Sequence, residues 1–132
     1  MDSRSVELGR RAFAALSAND LSVIERLCAQ DVVITTETTW PGGGTFESRD
    51  DASRFIAQFL EGFGTVAFEE TAEPEDLGAW ALFHGRWAGS GRSSGIQTTT
   101  REFNVAVCTR EDVITEMRFF WDEREARAHI TG

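Results

Sequence analysis

Two charged residues stand where chemistry would need them. Glu37 closes a β-branched run that opens at Val32 and leads to Trp40. A carboxylate held at an apolar mouth can take a proton from a bound molecule; the plainer alternative is a solvated loop acid beside Trp40. Arg101 alternates in phase with Thr99, Phe103, Val105 and Val107. A guanidinium there can bind an anionic or carbonyl oxygen of a guest. It can also snorkel to solvent, or pair with Glu37. His84 invites an acid–base role, but it alternates with Phe83, and a strand turns successive side chains to opposite faces. That spacing predicts His84 on the outer face with Arg86, Glu102, Asn104, Glu116 and Arg118. Asp122, with Glu125 three residues on, reads as a helix cap rather than a catalytic acid. His129 falls near the end of the same helix and is assigned no chemistry.

The elements that must position these residues follow from apolar spacing. Val6, Ala12, Phe13 and Leu16 share a face at helical period, which predicts a helix from about Ser5 to Ala18. Asn19 and Asp20 break it and offer a cap to a short helix carrying Leu21, Ile24, Leu27 and Cys28. Val32 to Thr39 reads as a strand, and Trp40-Pro-Gly-Gly-Gly44 as a loop. Phe55, Ile56, Phe59, Leu60 and Phe63 stripe a third helix that begins near Asp50 and ends at Gly62 or Gly64. Strands are then predicted at Thr65–Thr71, Gly78–Gly89, Gln97–Thr109 and Val113–Trp121. Turns fall at Pro74-Glu-Asp76, from Gly89 to Gly95, and at Arg110-Glu-Asp112. Short connections make these strands an antiparallel meander. The order ααβαββββα is that of an α+β domain, with helices on one face of a curved sheet.

Period two then divides the sheet. Ala79, Ala81, Phe83, Gly85 and Trp87 form one set, with Phe103, Val105, Val107, Met117, Phe119 and Trp121 in phase. This apolar set must face the helices, where burial stabilises by roughly 25 cal/mol per Å². The opposite set mixes Trp80, Leu82 and Phe120 with matched charges, a composition that suits an interface.

At 132 residues the chain makes one domain, 1–132. With 41% hydrophobic and 27% charged residues it is globular rather than disordered. Thirteen Lys and Arg against 22 Asp and Glu leave a net charge of −9. Such a surface repels phosphate backbones, so nucleic acid is not an expected partner. Cys28 and Cys108 are too few for a disulfide framework or a zinc cage and read as small buried hydrophobes. No apolar run reaches the ~20 residues that span a membrane. The opening Met-Asp-Ser-Arg-Ser lacks the apolar core of a signal peptide, so a cytoplasmic address is expected. No cofactor or metal motif is present.

Four stretches carry a resemblance. They are Arg11-Ala-Phe-Ala-Ala-Leu-Ser-Ala-Asn-Asp-Leu21, Ala29-Gln-Asp-Val-Val-Ile34, Gly44-Thr-Phe-Glu-Ser-Arg-Asp-Asp-Ala52 and Arg118-Phe-Phe-Trp-Asp122. In this order and spacing the chain resembles the SnoaL-like branch of the NTF2-like superfamily over nearly its whole length. The resemblance implies a cone with three N-terminal helices against a curved, mostly antiparallel sheet. The family holds polyketide cyclases, ketosteroid isomerases, epoxide hydrolases, dehydratases and members without known activity, so the fold alone gives no reaction. Where a ketosteroid isomerase carries its tyrosine and two aspartates, this chain has Ala12, Thr36 and Val105. Where an epoxide hydrolase of this fold has its Asp-Arg-Asp group, it has Ala81, Phe83 and Phe119. Neither set is present. A dehydratase pairs an inward histidine with an aspartate, which the register of His84 opposes.

The expectation is a cofactor-free pocket for a flat hydrophobic molecule, lined by Phe13, Trp40, Phe55, Phe59, Phe83, Trp87, Phe103, Met117, Phe119 and Trp121. If the guest is turned over, Glu37 is the base and Arg101 the electrophilic partner, in a proton transfer, cyclisation or dehydration. The alternative is a non-catalytic domain whose aromatics fill the interior. A homodimer is expected through Trp80, Leu82, His84, Arg86, Asn104, Arg118 and Phe120, since relatives commonly pair sheet to sheet.

Overall fold

A computed structural model describes residues 4–40, 43–91 and 97–132 of the chain. Helix α1 (Arg4–Ser17) buries Val6, Leu8, Ala12, Phe13 and Ala15, the face its periodicity dictates plus Leu8. Ser5, 1% exposed, donates to the Ala79 carbonyl at 2.8 Å and shares a 2.6 Å bond with the Thr109 hydroxyl. Those bonds fix the start of the helix to the sheet. Asp20 caps α2 (Leu21–Leu27) by accepting from the Val23 N–H at 3.3 Å. Ser48 caps α3 (Arg49–Glu61) in the same way through Asp51 N–H at 3.1 Å.

The strands are β1 (Cys28–Thr35), β2 (Thr45–Phe46), β3 (Phe63–Leu77), β4 (Trp80–Gly91), β5 (Gln97–Thr99), β6 (Phe103–Arg110) and β7 (Val113–Phe120). They form one sheet in the order β2-β1-β7-β6-β4-β3, with β5 on β4. β3, β4, β6 and β7 pair antiparallel, as the meander predicts, and β1 joins β7 in parallel.

Among the boundaries that differ from the sequence reading, four have a clear local reason; in addition Phe63, read as part of the third helix's stripe, opens β3 after the helix ends at Glu61. β1 lies four residues earlier than 32–39, because Cys28 leaves α2 already extended. It stops early because Thr36 turns into a bridge with Gly44: its N–H donates to the Gly44 carbonyl at 2.9 Å, and its hydroxyl accepts from Gly44 N–H at 2.9 Å. Glu37 therefore lies beyond the strand. Pro74-Glu-Asp76 is not a turn; β3 continues to Leu77 and reverses at Gly78, where φ is 81°. Proline is tolerated because β3 is the edge strand and its register shifts beside Ala72. The stretch 97–109 breaks at 100–102, so Arg101 and Glu102 leave the ladder and are exposed. The predicted loops at Trp40–Gly44 and Gly89–Gly95 fall partly on residues 41–42 and 92–96, outside the described residues. Gly89 itself belongs to β4. The turn at Arg110-Glu-Asp112 holds, with Glu111 and Asp112 both at positive φ.

The register puts Ala81, Phe83, Trp87, Phe103, Val105, Val107, Met117 and Phe119 in one core with α1, α2 and α3. The outer set gathers a second, smaller core of Leu82, Ala106 and Phe120 under Ala126. Ala126 belongs to α4 (Glu123–Thr131), capped by Asp122, whose side chain accepts from Arg124 N–H. This corrects the expectation that the helices share one face, because α4 folds onto the other. Two residues expected in the sheet-to-sheet contact are taken up within the chain itself: Leu82 is 0% and Phe120 6% exposed, covered by α4.

Candidate functional site

The inner face of the sheet and the three N-terminal helices enclose an aromatic array. Phe13 stacks on Phe68 at 4.1 Å, with Phe83 edge-on to Phe13 at 5.4 Å. Trp40 enters the array from the segment after β1. Its ring centroid lies 5.0 Å from Phe119, 5.2 Å from Phe103, 5.8 Å from Trp121 and 6.4 Å from Trp87. Beside it remains a wholly apolar chamber of about 30 Å³, walled by Leu16, Ile34, Trp40, Phe55, Ile56, Phe59, Trp87, Met117 and Phe119. Pockets for small molecules run to roughly 300 Å³ or more. With Trp40 in place, the interior is close to filled.

Of the expected lining, Trp40, Phe55, Phe59, Trp87, Met117 and Phe119 reach this chamber. Phe13, Phe83 and Phe103 are packed into the core around it, and Trp121, partly buried against that core, lines an outer groove instead. Leu16, Ile34 and Ile56 were missed as lining, although Leu16 and Ile56 belong to helical stripes legible in the sequence. Phe68 was also missed; it faces inward from β3, opposite Trp87 in register. The indole Nε1–H groups of both Trp40 and Trp87 are buried without a hydrogen-bond partner.

Glu37 and Arg101 meet at Trp121 rather than at each other. Glu37 Oε1 accepts from the Trp121 main-chain N–H at 3.1 Å. Thr39 Oγ1 accepts from the Trp121 indole N–H at 3.0 Å. The Arg101 guanidinium lies over the Trp121 ring, 4.4 Å from its centroid. Trp121 thus holds the segment that carries Trp40, with Arg101 stacked on it.

The outer face carries the titratable groups. Both His84 ring nitrogens lie 2.8 Å from acceptors, Oδ1 of Asn104 and Oε2 of Glu75. Asn104 is oriented by its Nδ2, which donates to the Phe120 and Trp121 carbonyls at 3.4 Å. Arg127 of α4 grips Glu75 with both terminal nitrogens, at 3.1 and 2.6 Å. The Arg127 guanidinium, and then His84, hold the Glu75 carboxyl below its ordinary range. With both ring nitrogens engaged, His84 has none left for a substrate. His129 Nε2 lies 2.6 Å from Glu116 Oε2, with its ring against Trp80 and Phe120. These contacts fasten α4 to the sheet. Two open grooves of mixed polar and apolar lining, of about 670 and 700 Å³, flank the helix, Arg101 and Trp121 lining the first and Glu37 the second. They are larger than the chamber, but they are surface furrows between α4 and the sheet.

Among the described residues, no three His, Cys, Asp or Glu side chains converge as a metal site, and no helix is long and apolar enough to cross a membrane. Both cysteines are free thiols. Burial pushes Cys28 up to about 11.

Three helices against a curved, mostly antiparallel sheet give an α+β domain of NTF2-like fold. The SnoaL-like domain family matches residues 9–124, and the chain belongs to that family. Solved structures of the same fold include TerC co-crystallised with polyporic acid, 18% identical, covering 98% of this chain and 100% of that one with a TM-score of 0.75. An NTF2-like protein of unknown function from Burkholderia pseudomallei is 19% identical over 99% of this chain and 100% of its own, with a TM-score of 0.77. A protein with a ketosteroid isomerase-like fold from Catenulispora acidiphila, in complex with trimethylamine, is 16% identical over 92% and 90% of the two chains, with a TM-score of 0.74. At these identities the likeness is one of fold. No curated protein matches the sequence.

Proposed function

We propose that this domain binds a flat hydrophobic molecule in the aromatic chamber, in the place that the Trp40 indole fills when no guest is present. One observation carries the reading: an aromatic array whose central ring comes from a connecting segment, with its own N–H unpaired. Rings supplied by helices and strands are fixed by the core. Trp40 sits in a turn of its own, its N–H donating to the Glu37 carbonyl at 3.1 Å and its carbonyl accepting from Gly43 N–H at 2.8 Å; the bonds of Glu37 and Thr39 to Trp121 tie that turn to the end of the sheet and can break without unfolding it. That TerC, which shares the fold, was crystallised with polyporic acid supports a guest-binding use. In this reading Glu37 and Arg101 act on Trp121 in the closed state. Cyclase-type turnover by the pair would require both to turn from Trp121 toward the guest.

The rival reading is a filled, non-catalytic domain, and the chamber of about 30 Å³ favours it. Titrating the wild-type protein with naphthalene, while following the four indole N–H signals by NMR, separates the two. Saturable one-to-one binding that opens the Trp40 N–H to solvent exchange is expected. No saturable binding, with the Trp40 N–H protected throughout, would leave the filled-core reading standing.

A further inference from the structure

Asn104 joins the outer face of the sheet to the segment that carries Trp40. It is 8% exposed and stands on β6 between His84 of β4 and Phe120 of β7 in register. Its Oδ1 faces His84 Nδ1 at 2.8 Å, and its Nδ2 donates to the Phe120 and Trp121 carbonyls at 3.4 Å each. Trp121 then reaches the other way. Its main-chain N–H donates to Glu37 and its indole N–H to Thr39, residues that lead into Trp40. A relay of hydrogen bonds thus runs from His84 through Asn104 and Trp121 to the Trp40 turn.

Only one proton count satisfies this relay. A side-chain amide offers an oxygen that accepts and an NH₂ that donates. With two carbonyls in front of Nδ2, it is Oδ1 that must face His84, so His84 Nδ1 has to carry a proton. Across the ring, Nε2 lies 2.8 Å from Glu75 Oε2, which Arg127 keeps as a carboxylate, an acceptor only. Both ring nitrogens therefore face acceptors, and the imidazolium alone satisfies both. The charges around the ring agree. Glu75 comes from β3, and Glu123 of α4 lies 3.7 Å from Nδ1. Arg127 of α4 is bound to both of those carboxylates. Arg101 and Glu102 line the same groove, with Arg101 stacked on Trp121, and Arg86 of β4 pairs with Glu69. The His84 side chain is 13% exposed, which leaves little room for water to replace a lost bond.

We infer that His84 is a proton switch for the Trp40 segment: when its Nδ1 proton leaves to solvent, Asn104 lets go of Trp121 and the anchorage of Trp40 loosens. A neutral ring keeps its remaining proton at Nε2, toward the carboxylate, and turns a lone pair at Asn104 Oδ1. Asn104 then either holds two acceptors in contact or turns its amide and sets Oδ1 against two carbonyls. Neither arrangement satisfies the buried groups, so the two ends of the relay cannot both stay bonded. The switch goes beyond the guest-binding reading and holds whether or not a guest enters the chamber.

NMR of the full-length protein tests it. The His84 ring nitrogens and the Trp40 and Trp121 indole N–H signals are followed from about pH 5 to about pH 9, the range in which histidines ordinarily change charge. At the acid end both His84 nitrogens should be protonated. As pH rises the proton should leave Nδ1 while Nε2–H stays. Over that same transition the Trp121 signal should shift. The Trp40 N–H should lose at least about tenfold in protection from exchange, after correction for intrinsic base catalysis. In His84→Gln both tryptophan signals should be indifferent to pH. A His84 ring that keeps one proton count throughout overturns the switch. So does a ring that titrates while Trp121 and Trp40 do not respond, or a tryptophan response that survives in His84→Gln. The wild-type titration decides the matter even if His84→Gln does not fold, and none of its outcomes depends on guest binding, which the naphthalene titration reads separately.

Discussion

Glu37 and Trp121, 84 residues apart, are joined by a hydrogen bond of 3.1 Å from the Trp121 main-chain N–H to the Glu37 carboxylate. The bond ties the segment that delivers Trp40, which Glu37 begins, to Trp121 just after the last strand. Glu37→Ala removes the acceptor and is expected to cost about 1 kcal/mol, lowering Tm by about 4 °C. Glu37→Gln keeps an oxygen in place and should melt within about 1 °C of wild type. The same variant tests chemistry: turnover equal to wild type on a panel of ring-system substrates would remove Glu37 from any mechanism, and turnover lost at unchanged stability would establish it as the base.

The cover that α4 places on the outer face predicts a large packing effect there. Phe120→Ala opens the small core beneath Ala126 and is expected to cost about 3–5 kcal/mol. Leu77→Ala, on a side chain 40% exposed, should change stability by less than about 0.5 kcal/mol. Urea melts measure both. A chain ending at Trp121 would uncover Leu82 and Phe120, and by size exclusion it should associate more strongly than the full-length chain.

Glu75 gives the fold a pH dependence with a definite sign. Arg127, and then His84, hold its carboxyl below the ordinary value of 4.5 in the folded state. The stabilisation is therefore complete above the ordinary carboxylate range and is lost as pH falls through the lowered folded value. Glu75→Gln should melt below wild type at pH 7, and the gap should narrow progressively as pH falls below the ordinary carboxylate value of 4.5. A gap that persists unchanged in acid would mean that the carboxylate charge is not what fastens α4.

Gly85 and Gly78 are predicted to differ in kind. A Cβ at Gly85 would run into the Glu69 carbonyl and the Phe68 ring. A backbone atom cannot step aside cheaply, so Gly85→Ala should cost about 3 kcal/mol. At Gly78 a Cβ meets nothing within 4 Å, but φ is 81°. Gly78→Ala should therefore cost only about 1 kcal/mol, from backbone strain. Thermal melts of the two variants give the ordering.

The sequence by itself determined the inner wall. Phe83, Phe103, Val105 and Phe119 face the helices because a strand has period two and only one face could bury that much apolar surface. For the same reason it settled that His84 looks outward. It determined the helices through their caps and stripes, and with them Leu16, Phe55, Ile56 and Phe59. Only the tertiary structure decided what those walls enclose. Whether Trp40 stands in the chamber or in solvent depends on Thr36 meeting Gly44 and on Glu37 and Thr39 meeting Trp121, contacts between residues that no local period relates. The fate of Arg101 turned on Thr100 bridging to Trp87 and breaking the strand, and the outer face was closed by α4 folding back through Arg127 and Glu75. Local spacing fixes which side of an element is apolar; which distant element arrives to cover it is set by long-range packing and pairing, and the candidate site is built from those long-range contacts.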